Sequence, residues 1–453
     1  MQKRRVVIVG AGGRDFHNFI VFFKNNPNYE VVAFTFASEQ VPAELKVFPP
    51  ELAGPQYPNG IPIYPESQLE KVIKEKKADL VVLSYSDLSF DYIMDIASRA
   101  AACGASFMLL GPKDTMLESK KPVVAVCAVR TGAGKSTVSR KVVRHLWSKG
   151  YKVSIVRHPM VYMNPANMVV QEFRTIEDLD RWGVTYEERE EYEPYLEMGL
   201  PVFAGVDYTE ILKKAEEAGD IVLWDGGNND WPFFKPDLMI TVADATRPGH
   251  ELHYWPGSVN VRISDVIIIN KTVTGGFENS VKVEKNIRKV NPKAIIIWAE
   301  SRITLEPNKP ELIEGKKALV IEDAPTVTHG QASFGAGYLA AIRYGAEVID
   351  PKPIVFEKFP NSDLARTYRI WTHTGPVIPS LGYTEKQKKE LEEILNTIDA
   401  DVIINASPIN ITRIMKLNKP VIHVRYELVE ISEPGVSDIL DSWIEKMKSR
   451  GKL

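Results

Sequence analysis

Residues 128–137 read Ala-Val-Arg-Thr-Gly-Ala-Gly-Lys-Ser-Thr, and this stretch decides the fold class. It follows the apolar run 123–127, which is typical of a buried strand. It precedes apolar residues at helical spacing that predict one buried helix face, ended by Gly150. The residues of that face are Val138, Val142, Val143, Leu146 and Trp147. A glycine-rich loop between a strand and a helix is the context of a phosphate-binding loop, the Walker A motif.

The residue types of this loop suit a nucleotide. Gly132 and Gly134 let the backbone curl so that its N–H groups point at phosphate oxygens. Lys135 is predicted to bridge the β- and γ-phosphates, and Ser136 to ligate Mg²⁺. Val129 stands where the first glycine of such a loop usually lies, so we expect the strand to run a residue or two further. The predicted nucleotide-binding residues here are Thr131, Gly132, Ala133, Gly134, Lys135, Ser136 and Thr137.

A second apolar run, residues 221–224, ends in Asp225 and then turns on two glycines. This pattern is typical of a Walker B strand followed by a switch segment. We predict that Asp225 holds Mg²⁺ through water and acts in catalysis together with Lys135 and Arg130. The alternative is a buried strand that ends in a turn aspartate.

The base pocket is less sharply defined. Asn270 and Lys271 follow the apolar run 266–269 and resemble the guanine-reading Asn-Lys-x-Asp element. Val273 replaces the aspartate that would accept two hydrogen bonds from guanine, which weakens guanine recognition by about 1.5–3 kcal/mol. We therefore predict that Asn270 and Lys271 line a purine pocket for ATP, with GTP as the alternative. The alternative is that Asn270 and Lys271 only end a strand and have no part in nucleotide binding.

Arginine and histidine residues recur beside turns at the ends of predicted strands, where α/β sites are built. Arginine recognises phosphate with two parallel hydrogen bonds, and histidine adds a donor that also transfers protons. Their recurrence predicts a second, highly anionic substrate, although each one alone is explained as a surface or capping residue. The predicted substrate-binding residues are Arg14, His17, Arg157, His158, Arg247, His250 and His329.

The amino-acid composition excludes several other classes of function. The chain has 453 residues, with 56 Lys+Arg against 59 Asp+Glu, so its formal net charge is −3. A net charge this close to zero does not indicate electrostatic binding to nucleic acid or to a membrane surface. Its two cysteines, Cys103 and Cys127, cannot form a disulfide framework or a four-cysteine zinc site. The absence of a long apolar stretch predicts no transmembrane helix, and we expect a cytoplasmic protein.

Three blocks follow from the alternation of strands and helices. We predict an N-terminal Rossmann-like α/β domain over 1–118, a P-loop NTPase domain with a mainly parallel sheet over 119–312 and a C-terminal α/β domain over 313–453. The turn at 10–13, Gly-Ala-Gly-Gly, resembles a dinucleotide-binding turn but lacks the acidic ribose ligand after the next strand. It predicts an anion or substrate site. The acidic run 187–193 is interpreted as a solvated helix face.

Seven motifs stand in this chain in the same order as in one known family. They are residues 10–18, 128–136, 156–159, 224–230, 247–251, 322–330 and 424–428. The chain thus resembles the cyclic 2,3-diphosphoglycerate synthetase-like P-loop family, whose members are often labelled "predicted GTPase". The resemblance implies ATP-dependent closure of an intramolecular phosphoanhydride in 2,3-bisphosphoglycerate, with release of ADP and phosphate.

Arg130 stands where the MinD-like and dethiobiotin-synthetase-like class of P-loop proteins carries a second lysine. Resemblance to that class implies a homodimer in which such a cation acts across the interface. One alternative function is a nucleotide-dependent switch or metallochaperone of the same class, which the lack of a Cys/His delivery cluster disfavours. A dinucleotide-dependent oxidoreductase is disfavoured by the missing ribose ligand.

Overall fold

The computed structural model describes residues 3–37, 45–158, 164–227, 230–328, 330–381, 384–407 and 409–453. The first part of the chain forms a six-stranded sheet in the order β3-β4-β2-β1-β5-β7, parallel except for the β3–β4 pair. Its strands are β1 (Arg4–Val9), β2 (Tyr29–Phe36), β3 (Val47–Phe48), β4 (Ile61–Pro65), β5 (Leu80–Leu83), β6 (Leu88–Ser89) and β7 (Ser106–Met108). Strand β6 lies outside this sheet.

The middle of the chain forms the mainly parallel part of a second, larger sheet. In spatial order this part is β10-β11-β9-β12-β8-β13-β15-β16, with β10 antiparallel to β11. The strands are β8 (Val123–Ala128), β9 (Val153–Val156), β10 (Gln171–Phe173), β11 (Val202–Ala204), β12 (Ile221–Trp224), β13 (Leu238–Asp244), β14 (Tyr254–Trp255), β15 (Val266–Asn270) and β16 (Ile295–Glu306).

The last part of the chain continues this same sheet. Its strands are β17 (Lys317–Glu322), β18 (Glu347–Val348), β19 (Ile378–Pro379), β20 (Val402–Asn405) and β21 (Val421–Glu430). They follow in the order β21-β20-β17-β18, and β21 pairs antiparallel with β16. The boundary predicted near 312 therefore does not interrupt the sheet, and the three-domain division stays a prediction.

Helices pack on the faces of both sheets. They are α1 (Arg14–Asn18), α2 (Pro50–Ala53), α3 (Leu69–Lys76), α4 (Phe90–Ala102), α5 (Pro112–Thr115), α6 (Lys135–Ser148), α7 (Ile176–Trp182), α8 (Tyr186–Leu196), α9 (Tyr208–Ala218), α10 (His250–His253), α11 (Gly257–Ile263), α12 (Thr272–Gly275), α13 (Phe277–Val290), α14 (Ala324–Val327), α15 (Ala336–Arg343), α16 (Lys352–Lys358), α17 (Asp363–Ile370), α18 (Glu385–Thr397) and α19 (Val436–Ser449). The observed architecture is thus mixed α/β with mostly parallel strands.

The helix after the phosphate loop packs as its sequence pattern predicts, with one exception. Val138, Val142, Val143 and Leu146 are fully buried in the core beneath α6. Trp147 was expected on the same face, but its side chain is 57% exposed. Residues of the final helix, α19, belong to the same core and pack against α6.

Two short strand contacts outside both large sheets join the first part of the chain to the middle part. Strand β6 pairs antiparallel with β14, and Leu117 bridges to Phe234. These contacts place the carboxyl ends of β1 and β5 beside the loops that follow β8, β9 and β12. No helix among the described residues is long and apolar enough to cross a membrane.

Candidate nucleotide and substrate site

The phosphate loop leaves β8 and enters α6 as the sequence predicts. The Val129 N–H donates to the Val242 carbonyl at 2.9 Å, so the strand ladder continues one residue beyond β8, as expected. Gly132 and Gly134 then take φ values of 78° and 105°, which side chains with a β-carbon rarely adopt. Lys135 is the first residue of α6. The loop therefore has the backbone course of a phosphate site.

Asn270 and Lys271 hold this loop from the end of β15. The Lys271 ammonium donates to the Gly132 carbonyl at 2.6 Å, and Asn270 Nδ2 donates to the Ala133 carbonyl at 2.9 Å. Asn270 Nδ2 also donates to Ser301 Oγ at 2.9 Å. Both side chains predicted for the base pocket are thus used to fix the backbone of the phosphate loop.

Arg247 supports the loop from its other side. Its Nη2 donates to the Thr131 carbonyl at 2.8 Å, and its Nη1 donates to the Gly330 carbonyl at 2.9 Å. Asp244 pairs with both Arg247 and Lys271, at 2.8 and 3.1 Å. Burial raises the pKa of Asp244, but the charges on Lys271 and Arg247 outweigh burial and hold it well below its ordinary value. This carboxylate therefore keeps both loop-holding cations in place.

Arg130 is enclosed within its own chain. Its Nε forms an ion pair with Asp87 Oδ1 at 2.6 Å, and its guanidinium lies 3.7 Å from the centre of the Tyr254 ring. Its Nη1 donates to His250 Nδ1 at 3.1 Å. Burial and the charges on Arg130 and Arg247 lower the pKa of His250 to about 4, so the imidazole is neutral. Because the Arg130 side chain is only 3% exposed, this placement does not support a role across a dimer interface.

Asp225 lies at the centre of a buried ion cluster. Its Oδ1 accepts from Lys135 Nζ at 2.6 Å and Ser139 Oγ at 2.7 Å. Its Oδ2 accepts from Arg157 Nη1 at 2.5 Å and the Tyr195 hydroxyl at 2.6 Å. Burial raises the pKa of this carboxyl, but Arg157 and Lys135 outweigh burial and keep it low. Burial lowers the pKa of Lys135 to about 8 in spite of Asp225.

These contacts bear on the predicted magnesium ligands. Both oxygens of Asp225 already accept from two donors each, so this carboxylate does not fit a metal role in the observed arrangement. Ser136 follows Lys135 at the start of α6, where a P-loop places its Mg²⁺ ligand. Throughout the described part of the chain, no group of three or more His, Cys, Asp or Glu side chains is arranged to hold a metal ion.

Arg14 and His158 meet Asp230 where the two sheets adjoin. Arg14 Nε donates to Asp230 Oδ1 at 2.7 Å, and its guanidinium lies 4.0 Å from the Trp231 ring centre. His158 Nε2 lies 3.9 Å from Asp230 Oδ2. No pattern in the sequence pairs either basic residue with this aspartate.

His17 lies apart from this group. Its Nε2 is 2.6 Å from the Thr115 carbonyl, and its ring stacks on Phe233 with centroids 4.0 Å apart. Burial lowers the pKa of His17 to about 3, so it is a neutral packing residue. His329, the remaining predicted substrate residue, lies outside the described residues.

Three of the predicted arginines, Arg130, Arg157 and Arg247, lie in or near the phosphate loop, Arg14 lies where the two sheets adjoin, and each of the four is matched by a carboxylate. The pairs are Arg14–Asp230, Arg130–Asp87, Arg157–Asp225 and Arg247–Asp244. These four pairs do not form the strongly positive pocket that was predicted for a polyanionic substrate. Their charges instead balance locally, in a site that still offers both signs of charge.

The acidic run 187–193 does not form the solvated face that its charge predicted. Glu188 and Glu190 are buried, and Glu190 accepts hydrogen bonds from Ser380 and Ser407 of the C-terminal part. Glu191 forms an ion pair with Arg157. Helix α8 thus contacts the Arg157–Asp225 cluster on one side and the C-terminal part of the chain on the other. The sequence signal that could have shown this is Tyr192 within the run and Tyr195 two residues after it, both of which are buried.

Comparison with known proteins gives the family. No family model matches the chain. Arginine synthetase ArcE of Thermococcus kodakarensis is 54% identical over 452 residues, which cover 99% of this chain and 99% of that protein. The chain belongs to the ArcE family.

Two further likenesses are more limited. Cyclic 2,3-diphosphoglycerate synthetase of Thermococcus sibiricus is 32% identical over 116 residues, 25% of this chain and 26% of that protein. The family resemblance drawn from the sequence motifs is therefore confirmed. Both relatives are named synthetases. The solved structure of LpxK from Aquifex aeolicus in complex with ATP covers 84% of this chain and 99% of its own, at 11% identity and a TM-score of 0.40. That value is too low to support an argument about function.

Proposed function

We propose that this protein is an ATP-driven synthetase that forms arginine from a ureido amino acid and ammonia. The observation that carries the proposal is that Arg14, Arg130, Arg157 and Arg247 are each paired with a carboxylate, at the phosphate loop or where the two sheets adjoin. Such a site suits a substrate that carries both signs of charge, because neither sign is left in excess. The full-length likeness to a protein named arginine synthetase supports the same substrate.

The chemistry follows from what a guanidinium group requires. The ureido oxygen attacks the γ-phosphoryl group of ATP, and ADP leaves. Ammonia then attacks the ureido carbon, the C–O bond breaks and inorganic phosphate departs with that oxygen. The ammonia nitrogen gives up its surplus proton to the departing phosphate, which leaves as HPO₄²⁻, so the sum is citrulline, ammonia and ATP to arginine, ADP and phosphate.

The residues of this chain contribute binding and charge. The backbone N–H groups of the phosphate loop bind the phosphates, and Lys135 exchanges Asp225 for a phosphate oxygen. Arg157 stays on Asp225 and keeps that buried carboxylate neutralised when Lys135 turns away. When bound, Mg²⁺ neutralises charge on the phosphoryl oxygens, and Ser136 is the residue placed to hold it. Hydrogen bonds from Asn270, Lys271 and Arg247 hold the backbone of the phosphate loop in the conformation that binds phosphate.

ATP is the nucleotide we propose. Val273 occupies the place of the guanine-reading aspartate, and its side chain is 70% exposed. The nearest carboxylate, Glu300, already accepts from the backbone N–H groups of Val273 and Thr274 at 2.7 and 3.1 Å. Neither residue offers guanine a free pair of acceptors, whereas an exposed hydrocarbon side chain suits the face of a purine ring.

Formation of cyclic 2,3-diphosphoglycerate is the second candidate. The partial identity to cyclic 2,3-diphosphoglycerate synthetase favours it. Its chemistry has the same two stages, because a substrate oxygen takes the γ-phosphoryl group and a second nucleophile displaces phosphate. Its substrate is a polyanion, however, and the paired arginines provide less unbalanced positive charge for binding it than the sequence predicted.

One assay separates the two reactions. The protein is incubated with Mg-ATP and either citrulline plus ammonia or 2,3-bisphosphoglycerate, while phosphate release and product mass are followed. We expect phosphate release only with citrulline plus ammonia, together with arginine as product. A cyclised bisphosphoglycerate, or slow hydrolysis indifferent to every small substrate, would contradict the proposal. The second of those outcomes would favour a nucleotide-dependent switch.

A further inference from the structure

Asp225 accepts hydrogen bonds from four side chains, and two of these donors are neutral hydroxyl groups. Ser139 Oγ donates to Asp225 Oδ1 at 2.7 Å, and the Tyr195 hydroxyl donates to Oδ2 at 2.6 Å. Lys135 and Arg157 supply the other two contacts, one on each oxygen. Ser139 and Tyr195 are buried together with the carboxylate. The steps of the proposed reaction use neither hydroxyl group.

Nucleotide binding changes this set of contacts. Lys135 leaves Asp225 Oδ1 when its ammonium group turns to a β- or γ-phosphate oxygen. Of the donors that the structure describes at Oδ1, Ser139 alone then remains, and Oδ2 keeps Arg157 and Tyr195. A buried carboxylate oxygen without a donor is costly. Because fewer donors then share the negative charge, each hydroxyl group contributes more to the state with Lys135 on the nucleotide than to the resting state.

The Tyr195 hydroxyl is held in place because α8 is anchored on two sides. Glu191 of this helix forms an ion pair with Arg157, at the end of β9. Glu190 accepts a hydrogen bond from Ser380 of the C-terminal part at 3.2 Å. The Tyr195 ring itself belongs to the core beneath α6. The position of its hydroxyl is thus fixed by packing that a change to phenylalanine preserves.

The Ser139 hydroxyl is positioned by the helix that carries Lys135. Its Oγ lies 3.2 Å from the Lys135 carbonyl, four residues earlier in α6, and 2.7 Å from Asp225 Oδ1. A hydroxyl group has one hydrogen to donate, and the shorter, charge-assisted contact is the one to the carboxylate. The same helix therefore carries both the cation that leaves Asp225 and a donor that stays.

We propose that Tyr195 and Ser139 are positioning residues for nucleotide binding, whose hydroxyl groups keep Asp225 hydrogen-bonded and in place after Lys135 has moved to the phosphates. This role rests on the proposed function, because it concerns the nucleotide that the reaction consumes. Both residues act through Asp225 and Lys135. The role applies to nucleotides with a β-phosphate, since AMP has no β- or γ-phosphate oxygen that could draw Lys135 away from Asp225.

The test compares the binding of ADP with that of AMP, measured by calorimetry on the full chain. Tyr195→Phe and Ser139→Ala each remove one hydroxyl group, and chemical denaturation shows whether each variant is folded. We expect each folded variant to bind ADP about fivefold more weakly than the wild type, because a hydrogen bond to a charged group is lost. The affinity for AMP should stay at the wild-type value. A hydroxyl group that serves only packing would lower both affinities by the same factor.

Two control variants remove hydroxyl groups that donate to main-chain carbonyls. The buried Tyr368 hydroxyl donates to the Val377 carbonyl at 2.8 Å, and Ser148 Oγ of α6 donates to the His145 carbonyl at 2.7 Å. Tyr368→Phe and Ser148→Ala should therefore keep the wild-type ratio of ADP affinity to AMP affinity.

Either test variant is sufficient if the other fails to fold. A wild-type ratio of ADP affinity to AMP affinity in a folded Tyr195→Phe or Ser139→Ala protein would overturn the assignment. A wild type that binds ADP no more tightly than AMP would also overturn it. Failure of the proposed function is a separate result, namely a ratio that falls as expected in the variants although the wild type forms no arginine from citrulline and ammonia.

Discussion

Lys135 Nζ and Asp225 Oδ1 lie 2.6 Å apart at the ends of the neighbouring parallel strands β8 and β12. The pair joins the residue that would meet the γ-phosphate to a carboxylate that Arg157 and Tyr195 also hold. When Lys135 turns from Asp225 to a nucleotide phosphate, Arg157 still pairs with Asp225. The buried carboxylate is therefore not left without a counter-charge. The pair is therefore a resting state that nucleotide binding would open.

Replacement of Lys135 by alanine should abolish turnover and preserve the fold. Loss of its charge at the phosphates is expected to lower phosphate release at least about 100-fold. Asp225 keeps its ion pair with Arg157, so the free energy of unfolding should change by less than about 2 kcal/mol. Phosphate release and chemical denaturation measure both effects. Lys285→Ala, an exposed position of the same block, is the control. Normal ATP turnover by Lys135→Ala would exclude this loop as the nucleotide site.

Nucleotide affinity should fall at alkaline pH. Burial lowers the pKa of Lys135 to about 8, and binding to phosphate requires the charged form. Above pH 8 the free protein must therefore take up a proton in order to bind, which costs about tenfold in affinity for each pH unit. Titration of ADP between pH 7 and 10 measures the slope. A flat profile across this range would show that Lys135 does not bind the phosphates in its charged form.

Substitution of Lys271 by methionine separates two roles for this residue. If Lys271 only fixes the loop through the Gly132 carbonyl, ATP and GTP affinities should fall by the same factor. Loss of a charged hydrogen bond predicts a decrease of roughly 10- to 150-fold. Competition binding of the two nucleotides gives the ratio, with Lys285→Met as the matched control. A change in the ATP-to-GTP ratio would instead place Lys271 in the base pocket.

Glu322 should make the protein less stable as pH rises. Burial raises its pKa from the ordinary value of 4.5 to about 7, although the N–H groups of Tyr338, Gly337 and Gly335 bind the carboxylate. Since the folded state disfavours the charged form, stability is fully present below pH 4.5 and is lost up to about pH 7, by about 3 kcal/mol. Denaturation at pH 5 and pH 8 should show this loss in the wild type.

The matched variants for that measurement are Glu322→Gln and the exposed Glu311→Gln. The first removes the titrating group, so its unfolding free energy should change less between the two pH values than that of the wild type. The second should retain the full difference. If Glu322→Gln loses as much stability between pH 5 and pH 8 as the wild type does, Glu322 is not responsible for the change.

The phosphate loop and its strand could be predicted from sequence because their signals are local. The glycines of the loop, the apolar strand before them and the apolar face of the helix after them all lie between residues 123 and 150. A local pattern of the same kind begins α9, where Asp207 accepts from the N–H groups of Thr209 and Glu210. Such patterns depend on neighbours in the chain, which a single sequence contains.

The partners of the predicted cations could not be found in this way. Asp87 and Asp230 meet Arg130 and Arg14 only because two separate sheets adjoin, so no spacing in the sequence marks the pairs. The burial of Glu190 differs from the prediction for a related reason. Charge predicts a solvated helix face, but α8 is covered by the C-terminal part of the chain. Periodicity describes one face of an element and not what packs against it.

The central claim is that the ureido oxygen of an amino acid takes the γ-phosphoryl group and leaves with it. Citrulline carrying ¹⁸O in its ureido group tests this claim most directly, in a reaction with unlabelled ATP and ammonia. We predict one ¹⁸O atom in each phosphate released, and arginine formed in equal amount. Unlabelled phosphate, or phosphate released without arginine, would contradict the account.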